Sequence, residues 1–110
     1  MFDRLPFQLK ERVSSMVLLI VEDERMTREG LLKSVDWPNS GISNVFSAEN
    51  GEAGLFMAKR IMPDIVLTDI KMNEMDGLTL ISEASRRFPN IKFIILTGYD
   101  DTEYLKKSIG

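Results

Sequence analysis

The sequence predicts an α/β fold, a doubly wound parallel sheet with helices on both faces, and three observations carry that reading. Apolar runs and amphipathic stretches alternate four times, an order that builds a parallel sheet through right-handed crossovers. The runs at 17–21, 65–67 and 93–96 are continuously apolar, as strands covered on both faces are. At 110 residues, with 44% apolar and 28% charged residues, the chain has the size and composition of one globular domain.

Taken in order, the first strand is expected over 17–21, VLLIV, ending in Glu22-Asp23-Glu24. A helix follows over 27–35, with Leu31, Leu32 and Val35 at helical spacing, and Asp36-Trp37-Pro38-Asn39-Ser40-Gly41 stops it. A weaker second strand spans 42–48. The second helix, 50–60, carries Ala53, Phe56, Met57 and Ile61 as its stripe. Gly54 inside it costs roughly 1 kcal/mol against alanine. The third strand, 64–68, leads to Asp69 and the loop 71–77. The third helix, 77–88, points Leu78, Ile81 and Ala84 inward and stops at Pro89-Asn90. The fourth strand, KFIIL at 92–96, ends in Thr97-Gly98, and Asp101 caps a last helix along Tyr104, Leu105 and Ser108.

Residues 1–15 differ from the domain expected over 16–110. Phe2, Leu5, Leu9 and Val13 stand at helical spacing, interrupted by Pro6 and laced with charge. The segment reads as a frayed arm ahead of Met16 or as a short amphipathic helix docked on the domain. It has no continuous apolar core, so it is neither a signal peptide nor a membrane span.

Composition removes several chemistries. Without cysteine or histidine there is no disulfide, thiol nucleophile, Cys/His zinc site or Ser-His triad. A net charge of −3 without a basic run argues against direct nucleic-acid contact by this segment. Cysteine-free composition fits a cytoplasmic location.

What remains is oxygen chemistry at the carboxyl ends of the strands, where open α/β sheets place their sites. The first strand brings Glu22 and Asp23 there, the third Asp69, the fourth Thr97. Each residue has an ordinary reading: Glu22 to Glu24 as an acidic helix start, Asp69 as a cap, Thr97 as a plain strand end. Together the acids repel unless a cation joins them, and an all-oxygen set suits Mg²⁺. A carboxylate beside Mg²⁺ and a hydroxyl is suited to accept a phosphoryl group.

The series VLLIVEDE, PDIVLTDIKMNEMDG and KFIILTGYDD resembles the receiver domain of two-component response regulators over about residues 16–110. It looks most like receivers joined to AraC-type output domains. The resemblance implies a flavodoxin-like fold, with strand order 2-1-3-4 for the four strands present. It implies Asp69 as the residue phosphorylated by a partner histidine kinase. Glu22, Asp23, Asp69 and the backbone carbonyl of Lys71 would be Mg²⁺ ligands, and Thr97 the switch hydroxyl beside Gly98. Gly77 matches the glycine ending the active loop. The parent protein would regulate transcription.

The sequence departs from that family in two places. Asn73 stands where proline is usual, which is expected to loosen the loop. The chain ends at Gly110, before the family's fifth strand and helix, which bring a lysine to the phosphoryl group. The domain is therefore expected to lack its last βα unit, and to expose side chains such as Val66 and Ile94, or their neighbours, behind strands three and four. It should self-associate through the strand-four edge and that face, cover the face with residues 1–15, or depend on missing C-terminal sequence. Two other readings follow: a receiver remnant that docks partners without phosphorylation, and a Mg²⁺-dependent phosphohydrolase. Against the hydrolase, Lys71 occupies the position where haloacid-dehalogenase-type enzymes carry a second aspartate. The protein is thus not expected to be an enzyme beyond self-phosphotransfer and autodephosphorylation at Asp69.

Overall fold

The apolar runs pair as the alternation predicts. The computed structural model describes residues 16–96, which hold the strands β1 (Met16–Val21), β2 (Ile42–Ala48), β3 (Ile65–Asp69) and β4 (Lys92–Leu96). Between them run the helices α1 (Arg25–Ser34), α2 (Gly51–Ile61) and α3 (Gly77–Arg87), with a 3-10 turn at Pro38–Ser40. All strand pairs are parallel, in the order β2-β1-β3-β4. This is the expected flavodoxin-like order of 2-1-3-4. The arm at 1–15, Thr97, Gly98 and the last helix lie outside the described residues.

β1 lies at the centre, and its side chains alternate between two apolar layers. Leu19 and Val21 join Val66, Ala58 and Leu80 beneath α2 and α3. Leu18 and Ile20 join Ile42 on the opposite face, against Leu31, Leu32 and Trp37. The sheet is therefore wound on both sides, with α1 the one helix on the second among the described residues. At the amino edge Asp64 ties three strands together. Its Oδ2 accepts from the Val17 amide at 2.7 Å, its amide donates to the Val17 carbonyl, and its carbonyl accepts from Lys92.

α2 and α3 start where side chains satisfy their first amides, whereas α1 has no side-chain cap. Asn50 Oδ1 accepts from Ala53 at 2.7 Å ahead of α2, and Asp76 Oδ1 from Thr79 at 2.7 Å ahead of α3. α2 packs so closely on β1 that a Cβ at Gly54 would stand 2.7 Å from Val21 Cγ2. Gly54 is thus a packing requirement rather than a defect of the helix.

Several expected faces are corrected. α2 buries Gly51, Gly54 and Ala58 and leaves Phe56 59% exposed, where Arg60 lies over its ring. α3 turns Leu80 inward with Gly77 and Ala84, while Leu78 is half-buried. α1 ends at Ser34, before Val35. Val66 pairs with Phe93 and is buried at 2%, whereas Ile94 lies opposite Leu67 and is 51% exposed. Val66 therefore faces the covered layer, not the face expected to be open.

Candidate functional site

Parallel strands β1 and β3 end side by side, and the register Val21 opposite Thr68 carries Glu22 and Asp69 to one edge. Glu22, Asp23 and Asp69 each present a carboxylate oxygen there, and these oxygens all lie within 4.8 Å of one another. The three acids expected to converge do so. Their environments, however, are unequal: Glu22 is buried at 3% exposure, while Asp23 and Asp69 are half-buried.

Glu22 is held from both of its ends. Its Oε1 accepts from the Glu24 amide at 3.1 Å, and its backbone carbonyl accepts from Arg28 Nη1 at 2.8 Å. Its Oε2 is buried without a hydrogen-bond partner. Burial pushes the Glu22 carboxyl up to about 7, and the nearby charges of Asp69 and Asp23 add to the rise against the Glu24 amide. A buried, unpartnered carboxylate oxygen facing two more acids is suited to a hard cation. The residues present therefore fit a Mg²⁺ ion, which Glu22, Asp23 and Asp69 could hold.

Asp69 closes β3. Its Oδ1 accepts from the following amide, Ile70, at 2.8 Å, and its carbonyl accepts from the buried Thr68 hydroxyl at 3.0 Å. The chain then turns over the site. Ile70 is fully buried, and its carbonyl accepts from the Gly77 amide at 2.7 Å, which closes the loop. A side chain on Gly77 would overlap the Asp69 carbonyl, and one on Gly51 would stand 2.7 Å from the Met75 carbonyl. Both glycines are where backbone must pass closely. Lys71, two residues past Asp69, is exposed on this loop.

Asn73, expected to loosen the loop, makes a contact across the site. Its amide donates to Asp23 Oδ2 at 3.1 Å, joining two loops 50 residues apart in sequence. Sequence reasoning missed this tie, the Arg28 contact and the Thr68 hydroxyl bond. Arg28 had a legible signal, since a residue one turn into the helix can reach back to the preceding strand end.

The chain matches the family model of the response regulator receiver domain over residues 18–110. Among curated proteins it is 36% identical to the uncharacterized transcriptional regulatory protein YesN of Bacillus subtilis over 92 residues, 84% of this chain and 25% of that protein. It is 34% identical to the transcriptional regulatory protein HptR of Staphylococcus aureus over 92 residues, 84% of this chain and 36% of HptR. Among solved structures it resembles the receiver domain of AraT, a response regulator from Geobacillus stearothermophilus. That likeness has a TM-score of 0.77 at 39% identity, covering 86% of this chain and 73% of that one. An AraC two-component transcriptional regulator from Clostridium phytofermentans gives 0.76 at 33% identity, covering 83% and 73%.

This chain belongs to the response regulator receiver domain family of two-component systems. It spans between a quarter and about a third of the length of the curated relatives it matches. No helix among the described residues is long and apolar enough to cross a membrane.

Proposed function

We propose that this domain, spanning 16–110 behind an arm at 1–15, takes a phosphoryl group onto Asp69 from a sensor histidine kinase and so regulates transcription in the cytoplasm. The observation that supports it most directly is the meeting of Asp69 with Glu22 and Asp23 at one sheet edge. With Oδ1 engaged by the Ile70 amide, Oδ2 is the oxygen left to attack. It forms a bond to the phosphorus of a phosphorylated imidazole. The P–N bond breaks, its electron pair returns to the imidazole nitrogen, and that nitrogen takes a proton from solvent. The product is a mixed anhydride on Asp69.

In this reading Glu22, Asp23, Asp69 and the Lys71 backbone carbonyl would hold Mg²⁺, and the Thr97 hydroxyl would donate to a phosphoryl oxygen. When bound, the ion supplies positive charge against the phosphoryl oxygens. Glu22 would hold the ion as a carboxylate, so binding would be linked to loss of its proton. The Thr68 hydroxyl and the Gly77 amide bond the carbonyls of Asp69 and Ile70, in the backbone that follows the attacking group.

Incubation with Mg²⁺ and a small phosphodonor such as acetyl phosphate should add one phosphoryl mass to the chain. The same gain in an Asp69→Asn variant would overturn the assignment. We further propose self-association of the isolated chain. Among the described residues β4 pairs on one side only, and Ile94 is 51% exposed beside it. Sedimentation of an ideal monomer at high concentration would count against it.

A further inference from the structure

We propose that the backbone amide of Asn73 is a positioning group for Asp23, holding that carboxylate ready for the cation. The inference rests on the Mg²⁺ reading above and adds a residue that reading does not use. Asp23 belongs to the β1–α1 junction and is half-buried, so its side chain has room to rotate away. The Asn73 amide meets its Oδ2 at 3.1 Å.

The donor itself is well anchored. Its loop begins at Ile70, which is fully buried, and closes through the Gly77 amide to the Ile70 carbonyl at 2.7 Å. Met75 packs against the position of Gly51. A carboxylate has about four lone-pair sites, so one accepted hydrogen bond leaves ample capacity for an ion. Fixing the side chain before binding removes an ordering cost that the ion would otherwise meet. The exposed Asn73 side chain plays no part; only the main-chain N–H does. Proline, which the receiver resemblance leads one to expect at this position, has no such hydrogen. The contact is thus a property of this chain.

The test is Mg²⁺ titration calorimetry on the whole 110-residue chain, comparing wild type, Asn73→Ala and Asn73→Pro. Asn73→Ala keeps the amide and should bind within about twofold of wild type, while Asn73→Pro should bind about tenfold more weakly. Amide hydrogen exchange without metal supplies a second readout. Protection at Asn73 should fall in Asp23→Ala and persist in Glu24→Gln. If the proline variant fails to fold by far-UV circular dichroism, a semisynthetic ester replacing the 72–73 amide removes the hydrogen without a ring and takes its place. Equal affinity after loss of the N–H, or exchange at Asn73 indifferent to Asp23→Ala, would overturn the proposal. Loss of affinity in Asn73→Ala would overturn it too, by assigning the effect to the side chain. A wild type that does not bind Mg²⁺ would instead overturn the metal reading beneath it, and the positioning role with it.

Discussion

The carbonyl oxygen of Asp69 occupies the space in which a side chain on Gly77 would begin. The two residues are joined only through the loop, yet the Gly77 amide also closes that loop on the Ile70 carbonyl. The first turn of α3 is thereby pressed against the backbone that carries the proposed phosphoacceptor. Alanine at Gly77 must push α3 away from β3, because the obstructing atom is backbone and cannot rotate aside. Overpacking of this kind costs about 1–3 kcal/mol, and a backbone clash belongs at the upper end. We expect Gly77→Ala to lose about 2 kcal/mol or more in urea denaturation. Unchanged stability would mean that the loop relaxes freely.

Burial dominates the behaviour of Glu22, whose carboxyl is raised from 4.5 to about 7. Between those values the folded chain holds a proton that the unfolded chain has released. Stability should therefore be fully present below pH 4.5 and be lost as pH rises through about 7. The whole effect amounts to at most about 3 kcal/mol. The difference between wild type and Glu22→Gln isolates it. In chelator, wild type should decline relative to Glu22→Gln from pH 5 to 8. A flat difference would show that Glu22 titrates as an ordinary surface acid.

The same carboxylate makes the effect of Mg²⁺ depend on pH. At a hundredfold excess over its dissociation constant the ion should add about 2.7 kcal/mol to stability at pH 8. At pH 5 the gain should shrink, since the proton on Glu22 must first leave. Removing the ion with chelator should reverse it. Asp23→Asn should reduce the gain more than Glu24→Gln, because Glu24 is exposed and its Oε1 accepts from Thr27 of its own helix. Equal losses from both variants would mean that the acids act only as a diffuse field.

The parallel sheet and the convergence of Glu22, Asp23 and Asp69 were legible because alternating elements and strand-end acids leave direct marks in sequence, whereas the strand order came from the receiver resemblance. What was not legible is which side of a strand faces which layer. In β3 and β4 the apolar residues run consecutively, so the two-residue period has no visible phase. Val66 and Ile94 were expected on one open face, yet the register places them on opposite faces. The inequality of Glu22 and Asp23 was hidden for a related reason. Adjacent acids look alike in sequence, and only the last turn of the backbone buries one of them. The Asn73 contact was invisible because it uses the main chain, which every residue but proline shares.

Gly54 gives the sharpest contrast between sequence and structure. By helix propensity alone, Gly54→Ala should stabilise α2 by roughly 1 kcal/mol. In the folded protein the added methyl would stand 2.7 Å from Cγ2 and 3.1 Å from Cγ1 of Val21, a fully buried residue of the central strand. Val21 is β-branched, so its rotamer is stiff and the two methyls cannot both turn away. The clash should cost about 1–3 kcal/mol and outweigh the propensity gain. We expect a net loss in urea denaturation. The obstruction can be removed from the other side. Val21→Ala alone should cost about 2 kcal/mol through the cavity it leaves. In the double variant the methyl on residue 54 enters part of that cavity, so the combined loss should be smaller than the two single losses added, by about 1–2 kcal/mol. Additive losses would place the cost of Gly54→Ala elsewhere. A single variant more stable than wild type would show that α2 can lift from β1 without penalty.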